Sequence, residues 1–585
     1  MSVAEHKPDG QRELRTVLWG FAWLSLVGAL AGALLDRNSD LITQYFMAVQ
    51  DAPVLLFMGM FFVTAAWFAR NQSVYFLEIG LGRLNAVRFA WVIAIVVGCA
   101  ILMMRHLAYL DFALSADEFM AESDARIFAS GRFLAWVAPE WRDYVSALQP
   151  IFRLSVPENV FSISSYLPVN AALRAIFVVV GAPGLQGAVL AGASVVALYG
   201  VARRIWPDRP DAAAVAVIIL VSSSQFLITA ATPYAMTAHL AFNLVWLWLF
   251  LRDTPGSHLV AAAAAFAGCG LHQVAFHPLF AAPFVLFLFW DRRWKLAAFY
   301  SLVYAVSVCF WISYWSILLR MAEAPVQQAA EVGIAYFIQR TSALVSLSPL
   351  GLWLMVLNLF RFLSWQNLLL FPLVGLGFLA SKSRNRTITC LTLGMIATLG
   401  LVLVIMPYQG LGWGYRYLHG FLGGLALIAA QGWINVSERD AGTQGNPSLL
   451  LLSSFAISIL VLLPWRVYQV HAFVSPYAAA VEAIERSNAD VVVIDFLDIW
   501  LGPDLIRNDP FLRNSPKVLS LYHLQESQLR DLCTNNDVAI FNSEDAPRFG
   551  LRIVADMPEP FASRMRRLRE LMRKLGCGRA FDGRS

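Results

Sequence analysis

Apolar residues make up 58% of the 585-residue chain, charged residues only 14%, and mean hydropathy is +0.60. Soluble domains carry about a quarter charged residues, so a soluble globular protein is excluded and a polytopic α-helical membrane protein is expected. The net charge of +5 comes from basic residues clustered between apolar runs, which reports topology and not a nucleic-acid surface.

A span needs an apolar run of about 20 residues to cross roughly 30 Å of hydrocarbon. Such runs are read at 15–35, 54–69, 88–104, 184–201, 211–228, 237–251, 258–272, 277–290, 296–318, 366–380, 387–406, 415–433 and 448–464, about thirteen in all. The basic clusters Arg83 with Arg88, Arg203 with Arg204, Arg292 with Arg293 and Lys295, and Lys382 with Arg384 and Arg386 all fall inside if the N-terminus is cytoplasmic. Two further apolar segments, 166–183 with Arg174 and 343–362 with Arg361, read as helices along the outer interface. Small residues Gly28 to Ala33 imitate a signal-peptide cleavage site, but the first run is long for that and reads as an uncleaved span.

This topology gives an N-terminal part, 1–87, with a cytoplasmic tail and two additional spans. A transmembrane core follows at 88–465, with a large first outer loop at 105–183, and then an extracytoplasmic segment at 466–585. In the last, the apolar runs DVVVID (490–495), VLSLY (518–522) and DVAIF (537–541) alternate with helical stretches, the pattern of a small α/β domain. Its basic helix RMRRLRELMRKL (564–575) reads as a solvated face or a surface for anionic lipid or glycan. Cys533 and Cys577 lie in this segment, where a disulfide is permitted. Cys99, Cys269, Cys309 and Cys390 read as small apolar residues.

The densest polar feature is SADEFMAESDARIFASG (115–131) with Asp111 just before it, so that Asp111, Asp117, Glu118, Glu122 and Asp124 fall within fourteen residues. Ser115 and Glu118 have capping-box spacing, so part of the pattern can simply start a helix. The number of acids exceeds what a cap needs. A carboxylate at the outer membrane surface suits transfer from a lipid-phosphate sugar: the phosphate is already a leaving group, and the remaining need is a base for the acceptor hydroxyl. Asp117 is the candidate base, with a pKa expected to rise through desolvation. Glu118 is a candidate for positioning the acceptor or holding a cation, and Arg126 joins the substrate-binding candidates.

The departing phosphate needs positive charge, and arginine matches phosphate oxygens two at a time. Arg416 stands in the outer loop PYQGLGWGYRYLHG (407–420), among Tyr408, Trp413, Tyr415 and Tyr417, with His419 close by. That group reads equally as a sugar-phosphate cradle or as an interfacial aromatic belt with a snorkelling arginine. His272 and His277 in LHQVAFHP (271–278), and His239 after TPYAMTA, are candidates for bonds to phosphate or sugar. The bland alternative is a satisfied interhelical contact. No metal site is expected among them, because a third ligand is missing.

The order of an outward-going span, SADEFMAESDARIFASGRF (115–133), a span ending VARRIWPDRPDAAAVAVIIL (201–220), and GWGYRYLHGFLGGLALIAA (412–430) resembles the GT-C superfamily of polyprenyl-phosphate-sugar glycosyltransferases. Within it, the subgroup of protein O-mannosyltransferases and the lipid A aminoarabinose transferase is the most similar. The resemblance covers about residues 88–465. It implies inverting transfer of one sugar from a polyprenyl-phosphate donor to a lipid, polysaccharide or protein acceptor at the extracytoplasmic face of the bacterial inner membrane. The first-loop acid carries onto Asp117 and, less directly, Glu118, and Arg416 matches the residue that holds the lipid phosphate. No obligatory cofactor is implied, with Mg or Mn possible at a carboxylate pair. Two departures are the additional N-terminal spans and a Pro-Pro-Leu element reduced to SSYLPVN (164–170). The rival readings are a flippase, which requires ionisable residues deep inside spans, and a ligase or polymerase using polyprenyl-diphosphate glycans.

Overall fold

The computed structural model describes residues 10–68, 87–149, 151–154, 156–323, 348–379, 385–405, 408–439, 448–554 and 559–581. Arg83, Lys382, Arg384 and the segment 343–347 of the sequence-based expectations lie outside them. Eight helices among the described residues are long and apolar enough to cross a membrane: Arg12–Ala33, Ile42–Phe68, Arg88–Leu107, Leu185–Ile205, Trp294–Met321, Arg386–Ile405, Arg416–Glu438 and Leu449–Glu485. A ninth span is made if Pro210–Val221 and Ser224–Ala230, which meet at 60°, are one broken helix. The break is chemical. The Ser223 hydroxyl accepts from the Phe226 amide and starts a new helix, and the Gln225 amide donates to the Trp365 carbonyl, so the interrupted backbone stays satisfied.

The chain therefore has the architecture of a multi-pass membrane protein. The other four expected spans form shorter helices, Met236–Phe250, Pro255–Cys269, Phe276–Trp290 and Leu370–Leu379. At 1.5 Å per residue these are about 15–22 Å long, short of a full crossing. Exposed apolar side chains such as Trp23, Ile95, Leu302 and Ile396 cover the outside of the bundle, where lipid takes the place of a protein partner.

The first two helices pack closely because their contact residues are small. A Cβ on Gly32 would stand 2.6 Å from that of Ala52, and one on Gly59 would stand 2.9 Å from Leu26. The small residues that imitate a cleavage site are thus packing points. The segment expected along the interface with Arg361 is helix Pro349–Ser364, and Arg361 is fully buried. The Arg361 Nε donates to Asp51 at 3.1 Å, and Arg466 contacts the same carboxylate at 2.9 Å. A buried arginine needs such a partner, and the N-terminal part supplies it.

The last span does not stop near Pro464. Helix Leu463–Glu485 continues it out of the bundle, so a boundary at 466 falls inside a helix. Beyond it, four parallel strands lie in the order β5 (Lys517–Ser520), β4 (Val491–Ile494), β6 (Val538–Phe541) and β7 (Arg579–Ala580). The strands β1 to β3 are three short antiparallel segments of the first loop, Ala135–Trp136, Arg153–Leu154 and Phe161–Ser164. Strand β4 is buried on both faces, as central parallel strands are. Val491 and Val493 face helices Glu526–Asn535 and Phe561–Lys574 through Leu529, Leu532 and Met565. Val492 and Ile494 belong instead to the apolar core that continues into the membrane bundle. The C-terminal unit is thereby fixed to one end of the bundle. A disulfide joins Cys533 to Cys577. Charges on Phe561–Lys574 are largely spent within the unit: Arg569 pairs with Asp495 and Asp498, and Arg566 with Glu559.

Candidate active site

Helix Ala116–Ala129 begins at Ser115, whose hydroxyl accepts from the Glu118 amide while the Glu118 carboxylate accepts from the Ser115 amide at 2.7 Å. The capping box is therefore real, and Glu118 is committed to it. Burial raises the Glu118 carboxyl to about 7 against the Ser115 bonds that lower it. The other acids of the patch separate in space. Asp111 pairs with Arg105 and His106 in the turn after the preceding span. Glu122 pairs with the buried Arg174, and burial pushes Asp124 up to about 7.

Asp117 alone meets the loop before Leu422. Its Oδ2 accepts from Arg416 Nη1 at 2.8 Å, and its Oδ1 accepts from the Tyr166 hydroxyl. Burial raises its pKa, but Arg416 and Tyr166 more than offset that and hold the carboxyl below the ordinary value. The expected upward shift is thus reversed, because the acid is desolvated next to a cation. Its side chain keeps 16% exposure, against 7% for Arg416. The guanidinium also lies over the rings of Tyr234 and Tyr417, at 4.8 and 5.4 Å. Its Nε is buried without a hydrogen-bond partner among the described residues. The His272 ring lies tilted against Tyr166 with centroids 5.7 Å apart, which brings it into the same group.

The loop holds Arg416 through backbone contacts that require glycine. Gly414 has φ +64°, and a Cβ there would meet Gln225 Oε1 at 2.5 Å. The Arg416 amide donates to Gln409 Oε1 at 2.7 Å, Gln225 Nε2 donates to the Tyr415 carbonyl, and Arg361 Nη2 donates to the Gly412 carbonyl. The buried Asp51–Arg361 pair thereby supports the loop that carries Arg416.

From the opposite side, the C-terminal unit clamps the helix start. The Ala116 amide donates to Asp504 Oδ1 at 2.6 Å, and Arg507 Nη2 donates to the Leu114 carbonyl at 2.7 Å. The Arg507 guanidinium lies 4.0 Å from the centroid of Phe112. Burial pushes Asp504 up to about 7.

Other candidates lie elsewhere. Arg126 is nine positions from Asp117, half a turn out of phase, and its guanidinium stands 4.0 Å from Asp509. Trp413 is core, with Phe46, Tyr109, Trp365 and Phe473 between 5.6 and 6.2 Å away. Tyr415 is buried, and Tyr408 stands exposed at the loop's start. His277 is satisfied by Asn243 at 2.7 Å and Tyr304 at 3.3 Å, the bland alternative. The two ring nitrogens of buried His239 have no hydrogen-bond partner among the described residues, and the same holds for His419. Tyr166, Tyr234, Asp504 and Arg507 escape the sequence reading. Tyr166 stands within SSYLPVN and Tyr234 within TPYAMTA, whereas Asp504 lies 388 residues from its partner, and no local pattern marks it.

Among the described residues no three His, Cys, Asp or Glu side chains gather as metal ligands, and Asp117 and Glu118 turn to different partners. The class defined so far is a multi-pass membrane protein with a largely buried carboxylate–guanidinium pair at one end of its bundle.

No protein-family model matches the chain, and no curated protein matches it. Among solved structures it is similar to ArnT from Cupriavidus metallidurans bound to undecaprenyl phosphate, with 14% identity and TM-score 0.46 over 73% of this chain and 85% of that one. The apo state of the same protein gives 13% identity and TM-score 0.47 over 77% and 92%. The Archaeoglobus fulgidus oligosaccharyltransferase in complex with Zn and sulfate gives 14% and 0.41 over 72% and 61%.

Proposed function

We propose that the chain is an integral-membrane inverting glycosyltransferase that moves one sugar from a polyprenyl-phosphate donor to a lipid, polysaccharide or protein acceptor. The observation that carries this reading is the Asp117–Arg416 contact at 2.8 Å, with a guanidinium nitrogen left over. In the resting state each charge neutralises the other. A lipid phosphate arriving at Arg416 takes over as its counter-ion, with bidentate geometry that arginine favours. That frees an Asp117 oxygen to accept the proton of the acceptor hydroxyl. The acceptor oxygen then bonds to the anomeric carbon from the face opposite the phosphate. The carbon–oxygen bond to phosphate breaks, its electron pair leaves on the phosphate, and the configuration inverts. Tyr166 and His272 flank Asp117 and line the acceptor side.

The cysteine pair and the basic clusters at the other bundle end, such as Arg203, Arg204, Arg292 and Arg293, support placing the site and the C-terminal unit outside a bacterial inner membrane. The flippase reading gains one observation, the ionisable residues Asp51, Arg361 and Arg466 inside the bundle. They are at most 1% exposed and mutually paired, which favours a scaffold over a transport path.

The deciding experiment is mass spectrometry of envelope glycolipids, polysaccharide and glycoproteins from cells with the wild type, a deletion or Asp117→Asn. Loss of one monosaccharide from one acceptor in both mutants, with accumulation of its polyprenyl-phosphate donor, supports the reading. Accumulation of complete lipid-linked glycans on the inner side overturns it in favour of the flippase.

A further inference from the structure

Asp51 lies in the second span, Ile42–Phe68, at the end of the π-helical turn Met47–Asp51. Such local widenings of a helix recur at functional sites. The Asp51 side chain is fully buried, and its one carboxylate takes four donors. Oδ2 accepts from Arg361 Nε at 3.1 Å. Oδ1 accepts from the Ser364 hydroxyl and the Trp365 indole N–H, both at 2.7 Å, and from Arg466 Nη2 at 2.9 Å. Arg361, Ser364 and Trp365 stand together at the end of helix Pro349–Ser364, so Asp51 fixes that helix end to the second span.

The same helix end grips the loop that carries Arg416. Arg361 Nη2 donates to the Gly412 carbonyl at 2.9 Å, and the Trp365 ring lies tilted against Trp413 with centroids 5.9 Å apart. The Trp365 carbonyl accepts from the Gln225 amide at 3.1 Å, and Gln366 Nε2 donates to Gln225 Oε1 at 2.7 Å. Gln225 Nε2 in turn donates to the Tyr415 carbonyl at 3.0 Å. Asp51 thus reaches Gly412 through Arg361, and Tyr415 through Trp365 and Gln225. The two routes end on either side of Gly414, and the second ends next to Arg416. None of Arg361, Trp365, Gln366 and Gln225 is more than 2% exposed, so water does not compete for these bonds, and a satisfied buried network of this kind rigidifies what it holds.

We propose that Asp51 is a positioning residue for the donor site: its carboxylate holds Arg361 and Trp365, and through them the loop geometry that aims the Arg416 guanidinium. This role rests on the reading that Arg416 receives the donor phosphate, and it gives the N-terminal spans a part in donor binding. Without Asp51, Arg361 and Arg466 are two buried cations without their shared counter-ion, and the Arg361 fork is no longer held between a carboxylate and the Gly412 carbonyl. A misplacement of about 1 Å at a substrate-holding group can cost on the order of a hundredfold in rate.

The test combines hydrogen-exchange mass spectrometry, melting curves and titration with undecaprenyl phosphate, all on the full chain in detergent. Arg361→Lys keeps a charge beside Asp51, but a single ammonium replaces the fork and cannot serve Asp51 and Gly412 in the same geometry. It is expected to melt near the wild type, to exchange amides of segment 409–417 at least tenfold faster with helix Leu185–Ile205 unchanged, and to bind undecaprenyl phosphate at least fivefold more weakly. Asp51→Asn offers one acceptor oxygen to four donors, and is expected to show both effects more strongly together with a lower melting temperature. Unchanged exchange at 409–417 in Arg361→Lys, unchanged affinity in a protein whose loop has loosened, or faster exchange spread evenly over the chain overturns the role. A wild type that binds no undecaprenyl phosphate, in a chain whose loop loosens as expected, overturns the reading of Arg416 as the donor-phosphate residue and the donor-site role with it, while the coupling of Asp51 to the loop stands.

Discussion

Arg416 and Asp117 are 299 residues apart in sequence and 2.8 Å apart in space. Removing one member of a largely buried ion pair costs about 3–5 kcal/mol, because the other is left uncompensated. Asp117→Asn keeps the size of the side chain and one acceptor oxygen, enough for Arg416 or Tyr166 but not both. It is expected to abolish transfer with protein levels near wild type, whereas Asp117→Ala also lowers thermal stability by several kcal/mol. Arg416→Lys retains charge but loses the fork, so donor binding is expected to weaken at least tenfold. Transfer assays paired with melting curves in detergent check all three.

The sequence makes the membrane class, the helical first loop and the three apolar strand runs legible, because each is a local pattern. DVVVID, VLSLY and DVAIF appear in the structure as strands β4, β5 and β6. Asp117 and Arg416 are legible as residue types in suggestive loops. What the sequence conceals is long-range. Nothing near Asp117 announces that Arg416 and Tyr166 would hold its pKa down instead of burial pushing it up. Nothing near Arg361 announces Asp51, and an arginine in an apolar helix without a visible partner reads as interfacial. Glu118 had two local readings, and cap geometry selects one.

Tyr166 donates its hydroxyl to Asp117 and helps hold the carboxyl below its ordinary value. Tyr166→Phe removes that donor, so the Asp117 pKa rises. A base works only when deprotonated, and the acidic limb of the pH–rate profile is therefore expected to move to higher pH. The plateau at high pH changes less. Rates measured for both proteins from below the ordinary carboxylate range, where the wild-type limb falls, up to neutral pH check the shift, and an unmoved limb would remove Asp117 as the base.

Asp504 ties the C-terminal unit to the amide of Ala116, one residue before Asp117. Asp504→Ala leaves that half-buried amide without its acceptor, at a cost of about 1–2 kcal/mol. The expected functional signature is a fall in kcat larger than any rise in KM, since the helix start carries the base and not the donor cradle. Asp504→Asn retains an acceptor and is expected to restore most of the rate. Steady-state kinetics of the two variants separate positioning from general destabilisation.

Burial pushes Glu118, Asp124 and Asp504 each up to about 7. In each case the folded state binds its proton more tightly than the unfolded chain, where carboxyls titrate near 4. Between about pH 4 and 7 the native state thus holds more protons, and stability falls as pH rises through that window. A pKa difference of one is worth about 1.4 kcal/mol. Asp117 has the opposite sign, but its contribution is lost only below the ordinary carboxylate range. Melting temperature is therefore expected to fall from pH 5 to 8, and Asp124→Asn is expected to flatten that fall. A melting temperature that rises over the same interval contradicts the assignment.

Cys533 and Cys577 are bonded across a separation of 44 residues, joining helix Glu526–Asn535 to the segment before β7. Closing a loop of that length stabilises by about 4 kcal/mol through the entropy of the unfolded chain. Cys533→Ser with Cys577→Ser is expected to lower the melting temperature of the C-terminal unit, and a reductant is expected to do the same to the wild type only. The bond also carries topology, because disulfides persist where the compartment is oxidising. Alkylation of membranes denatured without reductant is expected to leave both cysteines unmodified, and prior reduction to expose both. Full alkylation before reduction would put the C-terminal unit on the reducing side, and with it the Asp117 site that Asp504 and Arg507 hold in place.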